Sequence, residues 1–373
     1  MNSDFPQQTV SSLTLPFPGP LTLGELLDRA FRLYRAHFGP LLMTAAIVLV
    51  PLGIVSALLT GSYMVGYMNL INQMMVLDQT NPSPDELGGI LGPLMGYLGV
   101  FLLFGLIGGL IQGLVSLSLT AQGLAILRGD SLTLAESFRM GGRRLGAFVG
   151  KWIVEGLVIV AASFVALLFF MCLIFGVAMA VGGAFALFDG FGATEPSPIA
   201  MAGLVILVII FYFFVFLFLL GPSLYFFARY GLATTGIVDQ EWRAVESLRE
   251  SWRLTKGLSW RSIGYFFLLF TLVTLVIGLP VGVAQNMVTL ALGTDLTNGQ
   301  MLGVITAIFT AISTILQIFW HPLYVAAAIL YYYDIRIRQE NYDLELRIEQ
   351  MESRPQLDSI DNFAATTATH LAA

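Results

Sequence analysis

The sequence predicts an all-α, polytopic membrane protein. Six transmembrane helices are expected as three tandem helical-hairpin repeats, each led by a cytoplasmic amphipathic helix. Three observations lead there. Hydrophobic residues make up 57% of the chain and charged residues 11%, whereas a soluble domain is about half apolar and about a quarter charged. The apolar residues fall in runs long enough to cross a hydrocarbon core of ~30 Å. The 18 Lys and Arg residues all gather on one side of those runs.

The chain opens with MNSDFPQQTVSSLTLPFPGP. This stretch has neither a basic start nor an early apolar run, so it does not read as a secretory signal peptide. Residues 1–20 are expected to be a tail, as are residues 353–373, which read SRPQLDSIDNFAATTATHLAA from Ser353. TLGELLDRAFRLYRAHFGP follows the first tail. Leu23, Leu26, Leu27, Ala30, Phe31, Tyr34 and Phe38 recur there at helical spacing, with Glu25, Asp28, Arg29, Arg32 and Arg35 opposite them. That pattern is an amphipathic helix, expected to lie in the membrane interface. Thr22 and Glu25 have the spacing of a capping box, and Gly39-Pro40 is expected to break the chain before the first span.

Apolar spans follow at about 41–61, 94–120, 149–180, 200–227, 262–290 and 302–330. The loops between spans 1 and 2, 3 and 4, and 5 and 6 contain no Lys or Arg. Loops rich in Lys and Arg stay cytoplasmic, so both termini are expected inside. Six acids, Asp78, Asp85, Glu86, Asp189, Glu195 and Asp295, fall outside, which assigns the net charge of −6 to the external loops.

An internal repeat runs through this pattern within the expected membrane domain, residues 21–352. ELLDRAFRLYR from Glu25 aligns with ESLRESWRLTK from Glu246, and ESFRMGGRR from Glu136 supplies a weaker middle copy. The three glutamates are spaced by 111 and 110 residues. The units are about 22–131, 132–243 and 244–352. With two spans each, all would enter the membrane in the same direction. Gly141-Gly142 is expected to disturb the middle copy's helix.

The candidate functional residues form two sets. On the cytoplasmic side, Arg32, Arg35, Arg143, Arg144, Trp252, Arg253, Lys256, Arg261, Arg336 and Arg338 are placed to meet anionic lipid headgroups or a protein partner. Each basic residue near such a surface gains about 1 kcal/mol. The plainer reading makes the same residues topological anchors. Within the spans, Lys151 and Glu155 are four apart and suited to pair. His321 stands beside Pro322, and Gln112 and Gln317 are further polar candidates. Gly105, Gly109 and Gly113 suit close helix packing, with a pore or groove lining as the alternative. Gly221-Pro222, Gly278-Leu279-Pro280 and Pro322 are candidate kinks. Cys172 is expected to be a packed core residue. Signatures of soluble enzymes are missing, and His37, His321 and His370 are too scattered for a metal cluster. No cofactor, metal or nucleic acid is therefore expected.

TLGELLDRAFRLYRAHFGPLL, ESLRESWRLTKGLSWRSIGYFF and LYYYDIRIRQENYDLEL together resemble a bacterial six-helix family, the one named after the membrane domain of glycerophosphoryl diester phosphodiesterase. The resemblance covers about residues 22–350. Its most specific part is Tyr332, Tyr333, Asp334, Ile335, Arg336 and Arg338. It implies six spans in the plasma membrane and does not imply catalysis, because the phosphodiesterase chemistry of fused members belongs to a separate barrel domain of about 250 residues. The leading expectation is a non-catalytic membrane protein that organises lipid or protein partners at the cytoplasmic face. The alternative is a transporter or channel for a small or lipid-like solute. A water-filled cavity reaching Gln112, Gln317 or His321 would favour the alternative, and a dry bundle with an exposed basic inner face would favour the first.

Overall fold

The computed structural model describes residues 19–77, 84–189, 211–213, 221–292 and 299–340. Among these residues the protein is all-helical. The helices are α1 (Leu23–Ala36), α2 (Phe38–Leu77), α3 (Pro84–Leu127), α4 (Leu134–Asp189), α5 (Ala233–Asp239), α6 (Ala244–Leu254), α7 (Ser259–Val273), α8 (Leu279–Ala291) and α9 (Gly299–Glu340). Residues 221–230 are helical as well. Five stretches are long and apolar enough to cross a membrane: Phe38–Met74, Met95–Leu127, Leu134–Leu173, Ser259–Ala291 and Gly299–Glu340. The span expected at 200–227 lies largely outside the described residues, as do both expected tails.

Local chemistry sets the helix starts. The backbone N–H of Thr22 donates to the Glu25 carboxylate at 2.7 Å, and that of Thr133 donates to Glu136 at 2.9 Å. The N–H of Arg243 donates to Glu246 at 3.1 Å. Each bond satisfies a donor that has no partner inside its helix. At Thr22 and Thr133 the hydroxyl completes the box by accepting from the backbone N–H of Glu25 and Glu136. Arg243 has no hydroxyl, so only half of the arrangement forms there. The Thr22 backbone N–H, joined by the Thr22 hydroxyl, holds the Glu25 carboxyl below the usual glutamate range.

Several boundaries differ from the sequence reading. α1 stops at Ala36 and α2 begins at Phe38, so the break falls at His37. Gly39 and Pro40 lie in the first turn of α2, where proline lacks no hydrogen bond that the helix needs. α2 runs on to Leu77 through residues read as external loop. Gly141 and Gly142 do not break the chain: α4 is continuous over 56 residues. A Cβ added at Gly141 would lie 2.5 Å from Ser118 Oγ and 3.0 Å from the Ser118 backbone nitrogen on α3, whereas Gly142 has nothing within 4 Å. Gly141 is therefore a packing glycine for the α3–α4 contact. Gly257 does serve as a break, at φ 81° between α6 and α7. Pro280 is accommodated by a π-helical turn at Thr274–Gly278 just before it, which absorbs the missing N–H. Cys172 is exposed on α4 and not in the core.

The most extensive helix contact is between α2 and α9. It depends on close backbone approach, since a Cβ on either Gly61 or Gly303 would stand 2.8 Å from the other's carbonyl oxygen. Small residues let membrane helices meet in this way. The main core gathers at the end of the bundle where the basic residues lie, called here the basic end. It joins Leu26 and Ala30 of α1, Leu41 and Ala45 of α2, Leu119 and Leu124 of α3, and Tyr265 and Phe266 of α7 to Leu323 through Ile337 of α9. Farther from the basic end the described helices carry exposed apolar side chains such as Leu98, Leu102 and Leu157, as suits a surface facing lipid.

The two adjacent glycines of α4 give a paired prediction. Gly141→Ala should lower thermal stability by about 1–3 kcal/mol through overpacking. Gly142→Ala should raise it by about 0.5–1 kcal/mol through helix propensity. Melting of both variants in detergent measures the contrast, and equal shifts would refute the packing role of Gly141.

Candidate functional site

The basic end is held by two buried carboxylates. Asp334 on α9 is fully buried. It accepts from the Leu21 backbone N–H at 2.8 Å, from Arg261 Nη2 at 2.9 Å and from Arg338 Nε at 3.0 Å. The same two arginines donate to the Leu21 carbonyl, at 2.6 Å and 2.7 Å. The chain leading into α1, the start of α7 and the end of α9 thus meet at one carboxylate. Asp239, at the end of α5, is the second. It accepts from Arg128 Nη2 at 2.6 Å and from the Tyr332 and Tyr333 hydroxyls at 3.2 Å each, with Arg336 at 3.5 Å. Tyr331 completes the set: its hydroxyl donates to Ser262 at 2.9 Å and its ring stacks on Tyr265 at 4.4 Å.

This arrangement changes the reading of the expected headgroup contacts. Arg261, Arg336 and Arg338 point inward to Asp334, Asp239 and Glu340. Charges that would be left unpaired in a low-dielectric interior draw these guanidinium groups in. Arg144 pairs with Glu241. Arg253 bridges Glu250 and Glu340 while keeping about half its side chain exposed, and the hydrogen bond it donates to Glu250, then that to Glu340, raises its pKa. Trp252 covers the buried Arg229 guanidinium at 3.8 Å and packs with Tyr225, Phe226 and Tyr230. Arg32, paired with Asp28, is exposed, as are Arg35, Arg143 and Lys256.

Of the intramembrane candidates, Gln112 and Gln317 meet at one cavity, whereas Lys151, Glu155 and His321 do not line it. A cavity of about 540 Å³ lies between α2, α3, α4, α8 and α9. Gln112 and Gln317 both line it, joined by Gln285 from α8 and by the hydroxyls of Ser56, Thr310, Ser313 and Thr314. No charged side chain among the described residues lines it. Among the described residues the three glutamine amides make no hydrogen bond to one another or to the backbone. An amide facing hydrocarbon without a partner costs several kcal/mol, so a cavity is where these three groups can keep polar company. The small side chains of Gly53, Gly105 and Gly109 leave the space open.

Toward the basic end side-chain hydrogen bonds tie the helices together. One turn beyond Gln317 and Gln112, His321 Nε2 meets Ser116 Oγ at 3.0 Å. Past that point, Thr44 donates to Gln122 at 2.8 Å, tying α2 to α3. Trp152 forms part of the cavity wall. Beside it Lys151 pairs with Glu155 at 2.6 Å, with both side chains about nine-tenths buried. Asp239 and Gln285 were not singled out from the sequence, and Asp334 entered only as part of the family resemblance, with no role in the site. The buried acids looked like ordinary loop and helix charges, and Gln285 gave no signal until α8 was set opposite α3 and α9. No family model, curated protein or solved structure matches the chain.

Asp334 is the most exacting of these groups. Asp334→Asn should destabilise the protein by about 3–5 kcal/mol, because Arg261 and Arg338 lose their counter-charge in a buried place. It should also free the segment around Leu21 for proteolysis. Limited proteolysis with thermal melting reads both effects, and an unchanged melting profile would show that the network is dispensable.

Proposed function

We propose that this protein is a non-catalytic integral membrane transporter or channel for a small or lipid-like solute. The observation that carries this reading is the cavity in which Gln112, Gln285 and Gln317 converge from three helices. Ionisable and polar groups within membrane helices face a bundle interior or a water-filled path, and three such amides at one cavity are more than helix packing requires. The recruiting role at the cytoplasmic face has less support, because Arg261, Arg336 and Arg338 are engaged with Asp334, Asp239 and Glu340.

The same proposal has further parts. It places both termini on the cytoplasmic side of the plasma membrane, where exposed Arg35, Arg143 and Lys256 meet anionic headgroups. It takes the chain as three related hairpin units, supported by the equivalent bonds at Glu25, Glu136 and Glu246. It also includes the likeness to the six-helix membrane-domain family, carried on the residues of LYYYDIRIRQ.

Water access tests the central part. In a Cys172→Ser background reconstituted in vesicles, Ser313→Cys should react with a cationic methanethiosulfonate reagent from at least one side. Its rate should exceed that of Leu157→Cys, on the exposed apolar face of α4, by at least tenfold. Asp130→Cys in an exposed turn serves as the fully accessible control. If Ser313→Cys reacts no faster than Leu157→Cys, the cavity is dry and the transport reading falls.

A further inference from the structure

The polar cavity does not stand alone. A second cavity of about 360 Å³ adjoins it between α2 and α3, and Phe104 and Gly105 line both. Its character is different. Leu59, Tyr63, Tyr97, Val100 and Phe101 form its walls, and the Tyr63 ring meets Phe101 at 5.7 Å and Tyr97 at 6.2 Å. Along α2, Leu59 and Tyr63 come after Gly53 and Ser56. Along α3, Tyr97 and Phe101 come before Gln112. The aromatic part therefore lies farther from the basic end than the amide part, and the two adjoin at Phe104 and Gly105, which sets a polar space and an apolar space side by side.

We infer that these adjoining spaces are together a binding site for an uncharged amphiphile: a hydroxyl- or amide-bearing head among Gln112, Gln285 and Gln317, and a hydrocarbon tail along Tyr63, Tyr97 and Phe101. The inference deepens the transport reading and rests on it. Glutamine, serine and threonine side chains both donate and accept hydrogen bonds, so the polar end can satisfy a neutral head in either sense. A charged head finds no counter-ion among the described residues that line it. The adjacent Lys151 and Glu155 are already paired with each other at 2.6 Å, and a buried charge without a partner is strongly disfavoured. The apolar end rejects a fully hydrophilic solute for the complementary reason, since its aromatic walls offer area and few polar partners. Pockets of this kind, mostly apolar with a few convergent polar groups, are the usual form of small-molecule sites.

The test is native mass spectrometry of the full-length protein released from detergent, with three probes. These are 1-monooleoylglycerol, the anionic lysophosphatidylglycerol carrying the same oleoyl chain, and 1-monobutyrin, which keeps the head and shortens the tail. The expected result is one monooleoylglycerol per chain, bound at least tenfold tighter than either of the other two. Gln112→Leu/Gln317→Leu should weaken that binding at least tenfold. Phe101→Ala, which removes a largely exposed ring that meets Tyr63, should weaken monooleoylglycerol several-fold while leaving monobutyrin unchanged. Lysophosphatidylglycerol binding as tightly, or monooleoylglycerol binding undiminished in both variants, would overturn the proposal. So would a fast-reacting Ser313→Cys in a protein that retains no monooleoylglycerol. That last outcome would leave a hydrated transport cavity standing and remove only its amphiphilic ligand.

Discussion

Asp334 and Asp239 sit at the basic end with side chains 0% and 2% exposed, and each is matched by guanidinium groups from distant parts of the chain. A carboxylate taken out of water is tolerable only when its charge and its lone pairs are both answered. That requirement fixes where α9 ends, because Tyr331, Tyr332, Tyr333, Asp334, Arg336 and Arg338 lie on consecutive turns and reach different partners. It fixes the start of α7 through Arg261, the end of α3 through Arg128 and the approach to α1 through Leu21. Four segments separated by up to 313 residues are set relative to one another by two acids.

A bundle held firmly at one end has freedom elsewhere. The apolar core is densest around Leu323 through Ile337 and thins along α9 toward Gly299. Between the basic end and the far end, glycines on α2 and α3 take the place of larger side chains, and three glutamines face the resulting space. An intramembrane cavity with polar walls is costly unless something polar occupies it. Its persistence beside a strongly held core fits a functional feature supported by the rest of the fold. The His321–Ser116 contact marks the boundary between the two regimes.

Much of this was legible in the sequence, and the reasons differ by element. Runs such as SIGYFFLLFTLVTLVIGL announce membrane helices because hydrocarbon admits little else. The capping bonds at Thr22 and Glu25 follow from residue types at fixed spacing. The Lys151–Glu155 pair follows from helical geometry. Packing was less legible. Whether Gly141 or Gly142 meets a neighbour depends on the rotation of α4 against α3, which no local pattern encodes. The inward turn of Arg261, Arg336 and Arg338 was hidden for a similar reason. A basic residue just beyond a span looks the same in sequence whether it meets a phosphate or a buried aspartate. Gln285 became part of the site only through the tertiary placement of α8.

The central proposal is that α2, α3, α4, α8 and α9 line a polar space that takes up a ligand, while Asp334 and Asp239 hold the basic end together. An experimental map of the protein in lipid nanodiscs, at a resolution that shows ordered water and lipid, examines this directly. The account predicts non-protein density in hydrogen-bonding contact with the amides of Gln112, Gln285 and Gln317, with Asp334 bonded to Arg261 and Arg338 beneath it. Helices packed together so that the three amides bond to one another and exclude any other molecule would contradict it.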